Sequence, residues 1–172
     1  ESPAIGDDLI VGHTTGLPEG EYSWWGNRLD DWSLLAASRG VGEVIFSSGV
    51  LPLHRGELVL ISPGHPHLFR CRQWELLWVH FLMEEEQKEV LSWNEVLPGI
   101  FHASPGPTEF RRALRSLLEM HRLYLARRRN WYPLARNLLD GVLIRGGAGE
   151  DGESTVPMLL WQAQERTRDL SE

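Results

Sequence analysis

The chain changes its period once. Between Leu9 and Leu82, β-branched and aromatic residues come in short runs cut by glycine, proline or paired polar residues, and from Pro107 onward apolar residues recur every three or four positions. The first pattern suits strands and the second suits helices, so a sheet must come first and helices after it. The runs predict strands at Leu9–Val11, Tyr22–Trp25, Trp32–Ser38, Glu43–Phe46, Val50–Leu53, Glu57–Ile61, His67–Arg72 and Glu75–Leu82. Between them, Asp30 with Asp31, Gly40 with Gly42, Ser48-Gly49, Arg55-Gly56 and Pro63-Gly64 supply turn chemistry. Many short strands at this spacing predict an antiparallel barrel or sandwich.

In the second part Phe110, Ala113, Leu114, Leu117, Leu118, His121, Tyr124 and Leu125 predict one amphipathic helix from about Thr108 to Arg129. Its end carries Arg127-Arg128-Arg129, cations placed where they complement the helix dipole. A second helix is expected from Trp131 to Arg145, with Pro133 in its first turn, where a missing N–H costs little. Gly146 to Ser154 has the composition of a flexible linker, and a last short helix is expected around Met158–Arg168. The expected organisation is a β-barrel region over 1–105, a helical region over 106–145, and a linker with a terminal helix over 146–172.

Composition narrows the function. With 172 residues, 42% of them hydrophobic, the chain is long enough to bury a real core. No apolar run approaches the roughly 20 residues a bilayer span needs, and the first residues lack the basic and apolar regions of a signal peptide, so a soluble cytoplasmic protein without membrane contact is expected. Cys71 is the only cysteine, which excludes an internal disulfide and a cysteine-rich zinc site. A net charge of −7 argues against phosphate-backbone contact by this chain. No Gly-X-Ser-X-Gly elbow is present, Cys71 has no evident histidine partner, and the glycine-rich stretch follows a helix rather than opening one. No catalysis is expected.

Leu9-Ile-Val-Gly-His-Thr14, Arg28-Leu-Asp-Asp-Trp-Ser-Leu-Leu35 with Ser38-Arg-Gly-Val-Gly42, Gly56-Glu-Leu-Val-Leu-Ile-Ser-Pro-Gly64 with His67, and Trp74-Glu-Leu-Leu-Trp-Val-His-Phe81 follow one another in order. Over roughly residues 9–145 this series resembles the effector-binding domain of AraC-type transcription regulators, nearest to the arabinose branch. The resemblance implies a mainly β fold: a cupin-like jelly-roll barrel that binds a sugar inside, followed by two α-helices, the second of which makes a homodimer. It also implies a linker to a separate DNA-reading domain absent from this chain, so that DNA is a partner only of the longer protein. Carried over residue by residue, the sugar pocket falls on Thr14, Arg28, Phe69, Leu76 and Trp78. The arabinose pocket has Tyr where Phe69 stands and His where Leu76 stands. Each change removes a hydrogen-bonding handle, which points away from L-arabinose and toward another carbohydrate or similarly small polar effector. Strand alternation adds His67 beside Phe69 and His80 beside Leu76 and Trp78.

Without the resemblance, Trp78 reads equally well as core packing, and Arg28 as a partner of Asp30 or Asp31. Adjacent Trp24 and Trp25 must point to opposite faces of any strand. A cupin metal site needs His-X-His and an acid on one strand and a further His from another, whereas His65-Pro-His67 falls at the Pro-Gly turn. No metal and no cofactor are expected, with His67 structural or ligand-facing and His65 at the surface. The rival functions are a metal-dependent cupin enzyme and a dimerisation module with no ligand.

On the second helix, Trp131, Leu134, Ala135, Leu138, Leu139, Val142 and Leu143 spread over about 180° at 100° per residue, more than one barrel wall needs. Trp131, Leu134, Leu138 and Val142 are expected to face the domain's own core, leaving Leu139 and Leu143 at the margin. The dimer interface expected is Ala135, Leu138, Leu139, Val142 and Leu143. The alternative is that the first helix covers the whole stripe within one monomer.

Overall fold

The computed structural model describes residues 8–23 and 30–147. Arg28, Trp24, Trp25 and the terminal helix expected around 158–168 lie outside the described residues. Eight strands and three helices follow in the order β1 Leu9–Leu17, β2 Gly20–Ser23, β3 Trp32–Phe46, β4 Gly49–His54, β5 Leu58–Ile61, β6 His67–Phe81, α1 Glu85–Val90, β7 Asn94–Leu97, β8 Ile100–Ala103, α2 Pro107–Ala126 and α3 Trp131–Gly146. The strands form one sheet in the order β1-β6-β3-β5-β8-β7, with β2 added to β6 and β4 to β3. All pairs are antiparallel. This is the expected β-barrel followed by helices.

Two pairs of predicted strands are single strands. Gly40 with Gly42, taken for a turn, and Gln73, which lay between two predicted strands, are instead the bend where β3 and β6 fold over together. Gly40 has φ 83° and Gln73 has φ 54°, and the β3–β6 register shifts on both sides of Arg39. A Cβ on Gly40 would lie 2.3 Å from the Gln73 carbonyl oxygen, so only glycine fits against the bulged strand. The extra residue changes the phase of β6. His67, Phe69 and Cys71 before it, and Trp74, Leu76 and His80 after it, are all buried on the inner side.

The rolled sheet buries both faces. Leu35, Val44, Leu53, Val59, Phe69, Trp74 and Leu76 belong to an interior cluster. Leu34, Leu58, Leu60, Leu77, Val79 and Phe81 belong to a second cluster with Phe110, Leu117, Met120, Leu139 and Val142 of the helices. That double burial is why runs such as Leu58-Val-Leu-Ile61 are apolar without alternation.

Between Leu82 and Pro107, where no strand or helix was predicted, lie α1 and the β7–β8 hairpin. Four-residue strands give almost no period, and the hairpin is signalled only by Pro98-Gly99, with Gly99 at φ 75°. Trp93, just before β7, is buried, and its Nε1–H donates to the Leu143 carbonyl at 2.7 Å, satisfying an acceptor near the end of α3. α2 ends at Ala126 rather than Arg129 because Arg127 takes a left-handed conformation, φ 46°. Its guanidinium lies 4.9 Å from the Tyr124 ring centroid and 5.3 Å from that of Trp131, so this cation stacks on aromatics.

The expected division of α3 holds for Trp131 and Val142, which face the core, and is reversed for the leucines. Ala135, Leu139, Val142 and Leu143 are 0–2% exposed within the single chain, whereas Leu134 is 50% exposed. The core-facing arc runs through Trp131, Ala135, Leu139 and Val142, because α2 flanks α3 on one side and Trp93 closes over its end. Four of the five residues expected at a dimer interface are therefore core residues of the monomer, and Leu138 alone keeps partial exposure. α3 is further tied down by buried Arg136. Its Nη1 donates to the Leu82 carbonyl at 3.1 Å, and its Nη2 lies 3.2 Å from Gln87 Oε1 and 3.1 Å from Glu84 Oε1.

Candidate functional site

The inner wall formed by β1, β3 and β6 gathers six of the seven residues nominated from the sequence, namely Thr14, His67, Phe69, Leu76, Trp78 and His80. Arg28 lies outside the described residues. Phe69 and Leu76 are 7% and 4% exposed and belong to the apolar interior cluster, with Trp78 packed against it. Trp78 is only partly buried, and its Nε1–H donates to Thr14 Oγ1 at 3.0 Å. The His80 ring stands 5.1 Å from the Trp78 ring, and His80 sits directly across from buried Ser33 on β3. An indole with an apolar face, a hydroxyl and an imidazole thus share one stretch of wall.

His67 extends this wall on the other side of the bulge. Its ring lies 5.6 Å from that of Phe46 and 5.2 Å from that of Phe69, and Phe69 in turn lies 5.8 Å from Trp74. Burial pushes the His67 pKa down, outweighing the hydrogen bond between its Nδ1 and the His65 carbonyl at 2.9 Å. His67 is therefore neutral near pH 7, with Nδ1–H donating and Nε2 left as an acceptor. His65 is half-buried rather than at the surface, its ring filling the space beside Gly99, where a Cβ would lie 2.3 Å from its Nε2.

Sequence reasoning missed Phe46, Trp74, Ser33 and Gly12. Phe46 and Trp74 share the apolar interior with the nominated residues, and Trp74 is fully buried with its Nε1–H donated to the Leu53 carbonyl at 3.2 Å. Their alternation could not be followed through the bulge. Gly12 falls just past the predicted run Leu9–Val11, so nothing local marked it as the interior strand glycine it is in β1.

Acidic and imidazole groups otherwise pair in twos. His13 Nε2 is 2.9 Å from Glu75 Oε1, on the face opposite the pocket, and the His13 ring contacts that of His121 on α2 at 5.8 Å. His102 Nε2 is 3.7 Å from Glu57 Oε1, and Glu57 Oε2 accepts the His54 amide at 3.0 Å. Burial pushes the Glu57 carboxyl up, but these contacts outweigh it and hold it below its ordinary value. Among the described residues no three His, Cys, Asp or Glu side chains converge as a metal would require. None of their helices is long and apolar enough to cross a membrane. An open trough of about 420 Å³, with Gly42 and Cys71 in its lining, lies where β2, β6, β3 and β4 run side by side, and there Arg72 is paired with Glu19 at 3.4 Å.

The family model of the AraC-like ligand binding domain matches residues 10–138, well over half of the chain. The chain belongs to the AraC-like ligand-binding domain family. Among solved structures, this AraC-like domain is similar to the AraC-like transcriptional activator CuxR, at 13% identity and a TM-score of 0.56, over 95% of this chain and 61% of that one. It is also similar to an apo ToxT variant from Vibrio cholerae, at 5% identity and a TM-score of 0.54, over 92% of this chain and 65% of that one. Identities this low speak for the fold alone, and the AraC-like domain spans less than two thirds of the length of either protein. No curated protein matches it in sequence.

Proposed function

We propose that this AraC-like domain is the non-catalytic sensor of a transcription regulator and binds a carbohydrate or similarly small polar effector inside the barrel. DNA would be reached through a separate domain of the longer protein. The observation that carries the reading is the Trp78–Thr14–His80 stretch of the inner wall, where a partly buried indole is held beside a hydroxyl and an imidazole. Sugars present apolar C–H faces that suit an aromatic platform and hydroxyls that need fixed polar partners, and this wall offers both.

A thermal-shift screen with L-arabinose, D-xylose, D-galactose and D-glucose tests it. A binder at about 100 times its dissociation constant stabilises the fold by about 2.7 kcal/mol, and Trp78→Ala abolishes that gain. If none of the four sugars raises the melting temperature, the carbohydrate reading is wrong. One observation favours a second reading. The interior around Phe69, Trp74 and Leu76 is overwhelmingly apolar, which suits a small amphiphile with a single polar end.

The same proposal includes a homodimer through the outward face of α3. Leu134 and Ile144 are 50% and 51% exposed, and with partly exposed Leu138 and Gly141 they lie within about 120° of helix surface. A two-fold pairing buries the same stripe on each copy, and a glycine in the stripe lets the backbones approach.

A further inference from the structure

Gly12 on β1 stands directly opposite Trp78 on β6 in the strand register. A Cβ on Gly12 would fall 2.0 Å from both Cε2 and Cζ2 of the indole and 2.7 Å from Cη2. The benzo portion of Trp78 therefore occupies the space where a side chain of residue 12 would be, while its Nε1–H is fixed by Thr14 Oγ1 at 3.0 Å. Gly12 is not among the glycines with positive φ, so the need for glycine here comes from space and not from backbone conformation.

Gly42 and Trp74 form a similar seat further along the barrel, with a Cβ on Gly42 falling 2.2 Å from Trp74 Cε2. There the indole is fully buried and bonded to a main-chain carbonyl, as a core residue is. Trp78 differs on both counts, being partly exposed and held by a hydroxyl that belongs to the same pocket wall.

We infer that Gly12 is a positioning residue of the barrel site, keeping clear the space against β1 that Trp78 needs, so that the indole holds the orientation in which a ring-shaped effector packs on it. The inference rests on the effector reading proposed above. Any side chain at position 12 breaks the Trp78–Thr14 hydrogen bond and swings the ring into the pocket. The ring pivots about its own side-chain bonds, so the sheet itself keeps its register.

Fluorotryptophan labelling with fluorine NMR, combined with titration of the four sugars, tests this. The Trp78 resonance is the one lost in Trp78→Phe. In ligand-free Gly12→Ala that resonance moves, while the other tryptophans of the eight keep theirs. Affinity for whichever sugar binds the wild type falls about tenfold or more, the scale of one methylene in a close-fitting pocket. Gly12→Ala combined with Trp78→Leu unfolds at no lower urea midpoint than Trp78→Leu alone, because the clash has been removed. An unmoved Trp78 resonance, or an affinity within about twofold of wild type in Gly12→Ala, overturns the role of Gly12 and leaves the effector reading standing. A wild type that binds none of the sugars overturns both.

Discussion

The Trp78 indole N–H donates to Thr14 Oγ1 across the β1–β6 pair. Thr14→Val keeps the shape of the side chain and removes the acceptor, so the indole N–H loses its protein partner at a half-buried position. The expected cost is about 1 kcal/mol of fold stability, measured by urea unfolding, together with weaker effector binding as the ring loses its fixed orientation. A variant with wild-type stability and wild-type affinity would show that the bond does not position the ring. Leu76 contributes differently. It is 4% exposed among apolar neighbours and offers only shape, whereas Thr14, His67, His80 and Ser33 carry polar groups among the described residues of this wall.

At the scale of elements, β6 organises the molecule. It pairs with β1, β2 and β3, and through the bulge at Gln73 it presents inward residues along its whole length. α3 is the other decisive element, since one arc is sealed by α2, the sheet and Trp93 while the opposite arc carries Leu134, Leu138 and Ile144. Leu134→Glu with Leu138→Glu places like charges across a two-fold stripe without entering the core. Sedimentation is expected to show a dimeric wild type and a monomeric double variant with a circular dichroism spectrum like that of the wild type. A monomeric wild type, or a double variant that stays dimeric, removes this face as the interface. Substitution at Leu139 or Leu143 cannot serve, because both are core residues and the monomer itself would be damaged.

For the whole molecule, acid should be destabilising. Burial pushes the pKa of His67 below its ordinary 6.5, and burial together with the nearby His13 does the same for His121. The unfolded chain then binds these protons more readily than the folded one. Their contribution to stability is complete above pH 6.5 and is lost as pH falls through the lowered folded values. The urea midpoint should therefore drop between pH 7.5 and pH 5, and His67→Phe should reduce that drop. An equal drop in the variant would assign the acid sensitivity elsewhere. His121 contacts His13, which pairs with Glu75, so the same titration loosens the packing of α2 on β1 and β6.

The change of period at Pro107, the apolar runs of β3, β5 and β6, and the shared face of Trp78 and His80 were legible in the sequence, because alternation and helical spacing are local properties of consecutive residues, whereas Thr14 was nominated only by the family resemblance. The order of motifs named the family before any contact was known. Three matters were decided only by tertiary structure. Gly40 with Gly42 reads as a turn, yet Gly40 bends β3 against the bulge at Gln73 of β6, since whether two runs are joined by a turn or by a bend depends on which strand lies alongside. Leu139 and Leu134 are the same residue type about 140° apart in heading on the helix, and only the placement of α2 and Trp93 around α3 determined that the first is core and the second is exposed. Gly12 is an unremarkable small residue within its own strand. Its meaning comes from Trp78, 66 positions later in the chain and directly opposite across the β1–β6 pair, because an excluded volume belongs to two residues at once and a sequence presents them one at a time.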